Sequence, residues 1–216
     1  MTNKLETLQD RLQEIIKTSY RLLCNKIVGG LIEVDNEASL QLQLGVIMRT
    51  IGQMYEFSPK DRFSVVLEHV VRDETIQTCK SKGKARIDVM LTLTSGNKTC
   101  TAAIELKYFP KTDGETITDN RFSMLADIEN LETYLRLGKA DLGYFMLYTT
   151  NKNYTTDSRS GVKIGNEDAI TGEIASNNRI VNLTGDYKLQ WDTYNMDKHC
   201  FLLQEIHQIT NYITTK

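Results

Sequence analysis

Leu5, Leu8, Leu12, Ile15, Ile16, Leu22, Leu23 and Ile27 recur at helical spacing, and Gly29-Gly30 closes the run. The pattern predicts an amphipathic helix over residues 4–28. A second stripe, Leu40, Leu44, Ile47, Ile51 and Met54, predicts a helix opening at Asp35 or Asn36, either of which can cap it. Gly45 and Gly52 inside it weaken the helix or permit a close neighbour. Residues 63–71 read as a strand, followed by a polar, lysine-rich connection. Residues 85–94 and 98–109 read as two further strands. Residues 110–120 are expected to form a loop. Phe122, Leu125, Ile128, Leu131 and Leu135 predict a helix over 121–137, ended by Gly138. Residues 142–148 are an apolar run, read as a buried strand. The polar stretch 151–180 is expected to be a long, partly mobile loop. Residues 187–194 alternate like a strand, and 201–209 fit either strand or helix. A helix between two strands implies a crossover. The expected fold class is therefore α/β, a mixed central β-sheet flanked by helices.

The segments 85–94 and 98–109 form one hairpin. A two-residue loop at Gly96-Asn97 suits a type I′ or II′ turn, because both residues tolerate positive φ. That loop sets the register, so Thr94 faces Thr99 and Asp88 faces Glu105. Directly opposed side chains lie roughly 5 Å apart on one face. Lys107, two residues beyond Glu105, shares that face. The surrounding Val89, Met90, Leu91, Ala102, Ala103, Ile104 and Leu106 are apolar, so these charges sit where a partner is required. Two carboxylates pressed together repel. A divalent metal between them, with the lysine beside it, accounts for the arrangement.

Composition changes this picture little. The 216 residues are 40% hydrophobic and 25% charged, ordinary for one soluble domain. We expect a single domain over 1–216, with the helix at 4–28, a core over 36–150 and a C-terminal extension over 151–216. A formal charge of −2 gives no overall basic character. A nuclease needs only a local basic rim, and Lys80, Lys82, Lys84 and Arg86, just before Asp88, are the candidates for tracking phosphates. Tyr108, Lys111, Arg121 and Arg136 are weaker candidates for the same surface. Cys24, Cys79, Cys100 and Cys200 lack zinc spacing and read as reduced thiols of a cytoplasmic protein. His69, His199 and His207 form no ligand cluster. No run approaches a membrane span, and residues 1–6 do not read as a signal peptide.

Ile87-Asp88 and Glu105-Leu106-Lys107 together resemble the PD-(D/E)XK nuclease superfamily, the restriction-endonuclease-like fold, with isoleucine where the motif has proline. The resemblance covers residues 36–150. It implies that Asp88, Glu105 and the Leu106 carbonyl hold Mg²⁺ (or Mn²⁺), and that Lys107 orients water or stabilises charge on the phosphorane. It also implies that Glu37, on the preceding helix, completes the metal shell or helps bind a second ion. The alternative for Glu37 is an acid that steadies its helix dipole. Asn130-x3-Tyr134 is similar to the Gln-x3-Tyr motif of the RecB-like branch, with asparagine for glutamine, although a half-buried core tyrosine explains Tyr134 as well. The implied activity is metal-dependent phosphodiester hydrolysis, with DNA the expected substrate, an endonuclease the expected mode and a homodimer an open option. The alternative is an inactive nucleic-acid-binding or scaffold protein of the same fold.

Overall fold

The structure is a computed structural model that describes residues 7–111, 117–156, 169–196 and 198–207. Helix α1 spans Leu8–Val28 and starts at a capping box in which Thr7 and Asp10 satisfy each other's backbone amides. Helix α2 spans Glu37–Gln53 and is capped the same way by Asn36 and Ser39. Of the two roles open to its glycines, close approach is the one realised. A Cβ on Gly52 would overlap the Phe63 ring, and one on Gly45 would lie 3.1 Å from Leu67.

Strands β1 (Asp61–Gln77), β2 (Lys82–Ser95) and β3 (Lys98–Phe109) form an antiparallel meander. Helix α3 (Ile117–Arg136) crosses over to β4 (Leu142–Thr149), which pairs parallel to β3. After a 3₁₀ turn at Lys152–Tyr154 come β5 (Ile170–Ser176) and β6 (Arg179–Tyr187), a separate two-stranded hairpin. Strands β7 (Trp191–Tyr194) and β8 (His199–Ile206) return to the main sheet, whose order is β1-β2-β3-β4-β8-β7. The mixed α/β class expected from the sequence is the one observed.

Several boundaries differ from expectation. The lysine-rich connection is mostly strand: β1 continues to Gln77 and β2 begins at Lys82, so the pair forms a long arm closed by a turn. Ile117–Asn120 belongs to α3 rather than to a loop, while 112–116 lie outside the described residues. The stretch expected to be a mobile loop contains β5 and the start of β6, with 157–168 outside the described residues. Val181, Leu183 and Tyr187 are buried at period two, and this alternation drives the hairpin onto α3. The expected strand at 187–194 is split, because β6 ends at Tyr187 and β7 begins at Trp191. The ambiguous 201–209 segment is strand β8 through Ile206, and 208–209 lie outside the described residues.

Each face of the sheet has its own core. Leu12, Ile15, Leu40 and Leu44 of α1 and α2 pack over Val89, Leu91 and Ile104. Phe122, Leu125 and Leu131 of α3 pack over Ala103, Phe145 and the β6 side chains. Along β1 and β2 the inward faces change over. Val65, Leu67, Val89 and Leu91 meet the α1/α2 core, whereas Val71, Ala85 and Ile87 meet the α3 core. The changeover falls at Glu68 and Asp88. No helix among the described residues is long and apolar enough to cross a membrane.

Candidate active site

The β2–β3 hairpin has the register predicted from its turn. Gly96 sits at φ 63, and the ladder runs from Ser95 opposite Lys98 to Val89 opposite Ile104. There it ends, one step short of Asp88 and Glu105. The β1–β2 ladder is interrupted at the same place, passing from Leu67–Val89 directly to His69–Ile87. Asp88 therefore pairs with neither neighbouring strand. Its Oδ2 accepts from the Leu106 amide at 2.7 Å, and its backbone carbonyl accepts from Gln41 Nε2 at 2.6 Å.

Three acids converge on the α3 side of the sheet. Asp88 is half-buried, Glu105 is 4% exposed, and Asp127 of α3 is equally buried. Burial raises the Asp88 carboxyl, opposed by the Leu106 amide and Lys107. Burial, then the charges of Asp88 and Asp127, push Glu105 well above the ordinary carboxylate range, and its carboxyl bonds directly with that of Asp88. Glu105 Oε1 is buried without a hydrogen-bond donor. Tyr134, fully buried on α3, has its phenol raised by burial and by the Glu105 charge.

Lys107 is the cation of the site. Its Nζ lies 3.0 Å from Glu37 Oε1, 3.4 Å from Asp127 Oδ2 and 2.8 Å from its neighbour's carbonyl, Leu106 O. Burial works against its charged form, but Asp127, Glu37 and Asp88 outweigh burial and raise it. Glu37 occupies the first turn of α2 and also accepts from the Tyr108 amide at 3.4 Å, so it reaches the site through the lysine. A second lysine arrives from the turn of the β1–β2 arm: Lys80 Nζ lies 2.6 Å from Asp127 Oδ1 and 2.9 Å from Ser123 Oγ.

The four basic residues expected to track phosphates separate into two groups. Lys80 turns inward to Asp127. Lys82, Lys84 and Arg86 are exposed along β2, where Arg86 pairs with Glu68 at 2.9 Å. Arg72 of β1 stands directly opposite Lys84, and neither forms an ion pair among the described residues. Arg121 is buried and donates to the Asn153 and Thr156 carbonyls, so it is no part of that surface. Lys111 lies beyond the end of β3, and exposed Arg136 closes α3. Tyr108 stacks on Tyr148. Asn130 accepts from Thr78 Oγ1 at 2.5 Å, in the turn of the β1–β2 arm.

Sequence reasoning passed over Glu68 and Asp127 as site residues. Asp127 is buried on α3. It lies one turn before the Asn130-x3-Tyr134 pair, which could have drawn attention to that face. Glu68 carried no signal, because a lone glutamate in an apolar strand reads as an outward side chain.

Asp88 and Glu105 offer oxygen ligands, the kind Mg²⁺ prefers. The donor-less Glu105 Oε1 and the raised acid pair also fit a cation there. Among the described residues no three His, Cys, Asp or Glu side chains already form a metal cage. A metal would thus rest on Asp88 and Glu105, with Leu106 O available once Lys107 releases it. Compared with protein-family models, curated proteins and solved structures, the chain matches none.

Proposed function

We propose that this chain is a metal-dependent nuclease that hydrolyses phosphodiester bonds within DNA strands, in the cytoplasm. The observation that carries the proposal is the contact between the Asp88 and Glu105 carboxyls, both raised, with Lys107 two residues beyond Glu105 on β3. Bound Mg²⁺ or Mn²⁺ supplies Lewis-acid activation of water and of the scissile phosphate. Asp88 and Glu105 give the oxygen ligands for it. Lys107, kept charged by Asp127 and Glu37, stabilises negative charge developing on the phosphate. The exposed cations Arg72, Lys82 and Lys84 hold the nucleic-acid backbone on the arm that leads to Asp88.

A second reading, nucleic-acid binding without cleavage, draws on the contact between Lys107 and Leu106 O, which occupies one ligand oxygen. Incubating the protein with supercoiled plasmid, linear duplex, single-stranded DNA and RNA in Mn²⁺ separates the two. We expect plasmid nicking that EDTA and Asp88→Asn both abolish. Tight binding with every substrate intact would favour the second reading.

A further inference from the structure

Glu68 has φ 55 in the interior of β1. That left-handed conformation is unfavourable for a residue with a long side chain, so the surroundings must hold it. What surrounds it is specific. Glu68 Oε1 accepts from Gln41 Nε2 at 2.8 Å, and Glu68 Oε2 accepts from Arg86 at 2.9 Å. The same Gln41 nitrogen donates to the Asp88 carbonyl at 2.6 Å. Both partners of Gln41 are acceptors, which fixes its amide with the NH₂ toward them. Between Asp61 and Arg72 of β1, the ladder to β2 skips one step, Glu68 opposite Asp88, and the strands exchange core faces there.

We infer that Gln41 and Glu68 are a positioning pair for Asp88: Glu68 opens the sheet at this step, and Gln41 takes over the freed Asp88 carbonyl. The Asp88 side chain is then turned to the Leu106 amide and to Glu105 instead of following the strand. Gln41 sits one turn after Glu37 on α2, so one helix steadies the aspartate through Gln41 and the lysine through Glu37. The consequence for metal binding rests on the reading of Asp88 as a ligand; the geometry does not.

Two measurements on full-length protein test this. In metal-free protein, exchange of the Leu106 amide reports where the Asp88 carboxylate sits. Gln41→Ala should speed that exchange about tenfold or more, the expected result of losing a charge-assisted hydrogen bond. Glu68→Gly, which accepts positive φ without strain, should do the same. Glu68→Gln, which keeps an acceptor oxygen, should behave as wild type. In the second measurement, Mn²⁺ titrated calorimetrically into the same variants should bind about 10–100-fold more weakly to Gln41→Ala and Glu68→Gly. An unchanged Leu106 exchange rate in both variants overturns the inference. So does wild-type Mn²⁺ affinity in Gln41→Ala when Asp88→Ala has lost binding. If wild-type protein binds no Mn²⁺, the nuclease reading fails, and the exchange rates still decide the positioning role.

Discussion

Asp88 accepts the backbone amide of Leu106 on its side chain at 2.7 Å, at the point where the ladder between their strands ends. The bond favours the ionised aspartate, yet burial and the neighbouring acids leave both Asp88 and Glu105 raised. Without a cation the pair therefore retains protons above the ordinary carboxylate range.

That retention predicts a pH dependence of stability. An acid raised on folding binds more protons in the folded than in the unfolded chain. Stability then falls as pH climbs from the ordinary carboxylate range through the raised values. Metal-free protein should show this fall, and Glu105→Gln should flatten it. Thermal melts across the pH range check the claim, and parallel profiles for the two proteins would contradict it.

Lys107→Ala should separate binding from turnover. The lysine is not a ligand, so Mn²⁺ affinity should stay near wild type. Turnover should fall on the order of 10²-fold or more, as when a transition-state charge stabiliser is removed. Asp127 keeps Lys80 as a partner in this variant, which limits the cost to the fold. Single-turnover rates beside calorimetric titrations read both quantities.

Charge reversal on the arm should act on binding. Arg72→Glu and Lys84→Glu each remove an exposed cation without touching the acids. Each should weaken binding of an oligonucleotide across sequences and reduce the salt-dependence slope by about one. Fluorescence anisotropy in Ca²⁺ at several salt concentrations measures both. Unchanged slopes would remove the arm from the interface.

Gly52→Ala tests the packing that sets α2 against β1. The new methyl would overlap the Phe63 ring, and destabilisation of about 1–3 kcal/mol is expected from such overpacking. A urea melt of the variant with an unchanged midpoint would show that β1 can yield.

The hairpin carrying Asp88, Glu105 and Lys107 was readable because one local signal, the Gly96-Asn97 turn, fixes register, and apolar flanks mark the buried positions. The two helix starts were readable from their caps. What surrounds Asp88 was not. Gln41 and Asp127 meet it across 47 and 39 residues of chain, and only packing decides such meetings. Glu68 is more opaque still, since its backbone conformation runs against its own preference. The β5–β6 hairpin was missed although Asn177-Asn178, both at positive φ, is a turn signal followed by alternating Val181, Leu183 and Tyr187. The polar residues between them masked that period. The thin apolar content at the far end of the arm hid the extension of its strands over 72–77 and 82–84 in the same way.

The central claim is that Asp88 and Glu105 form a metal-dependent hydrolytic centre. The rate of Mn²⁺-dependent plasmid nicking by wild type and by Glu105→Gln, at equal protein concentration, tests it most directly. The account predicts metal-dependent nicking by wild type and loss of both nicking and Mn²⁺ binding in the variant. Equal nicking by the two proteins, or none by wild type while it binds Mn²⁺ and DNA, would contradict it.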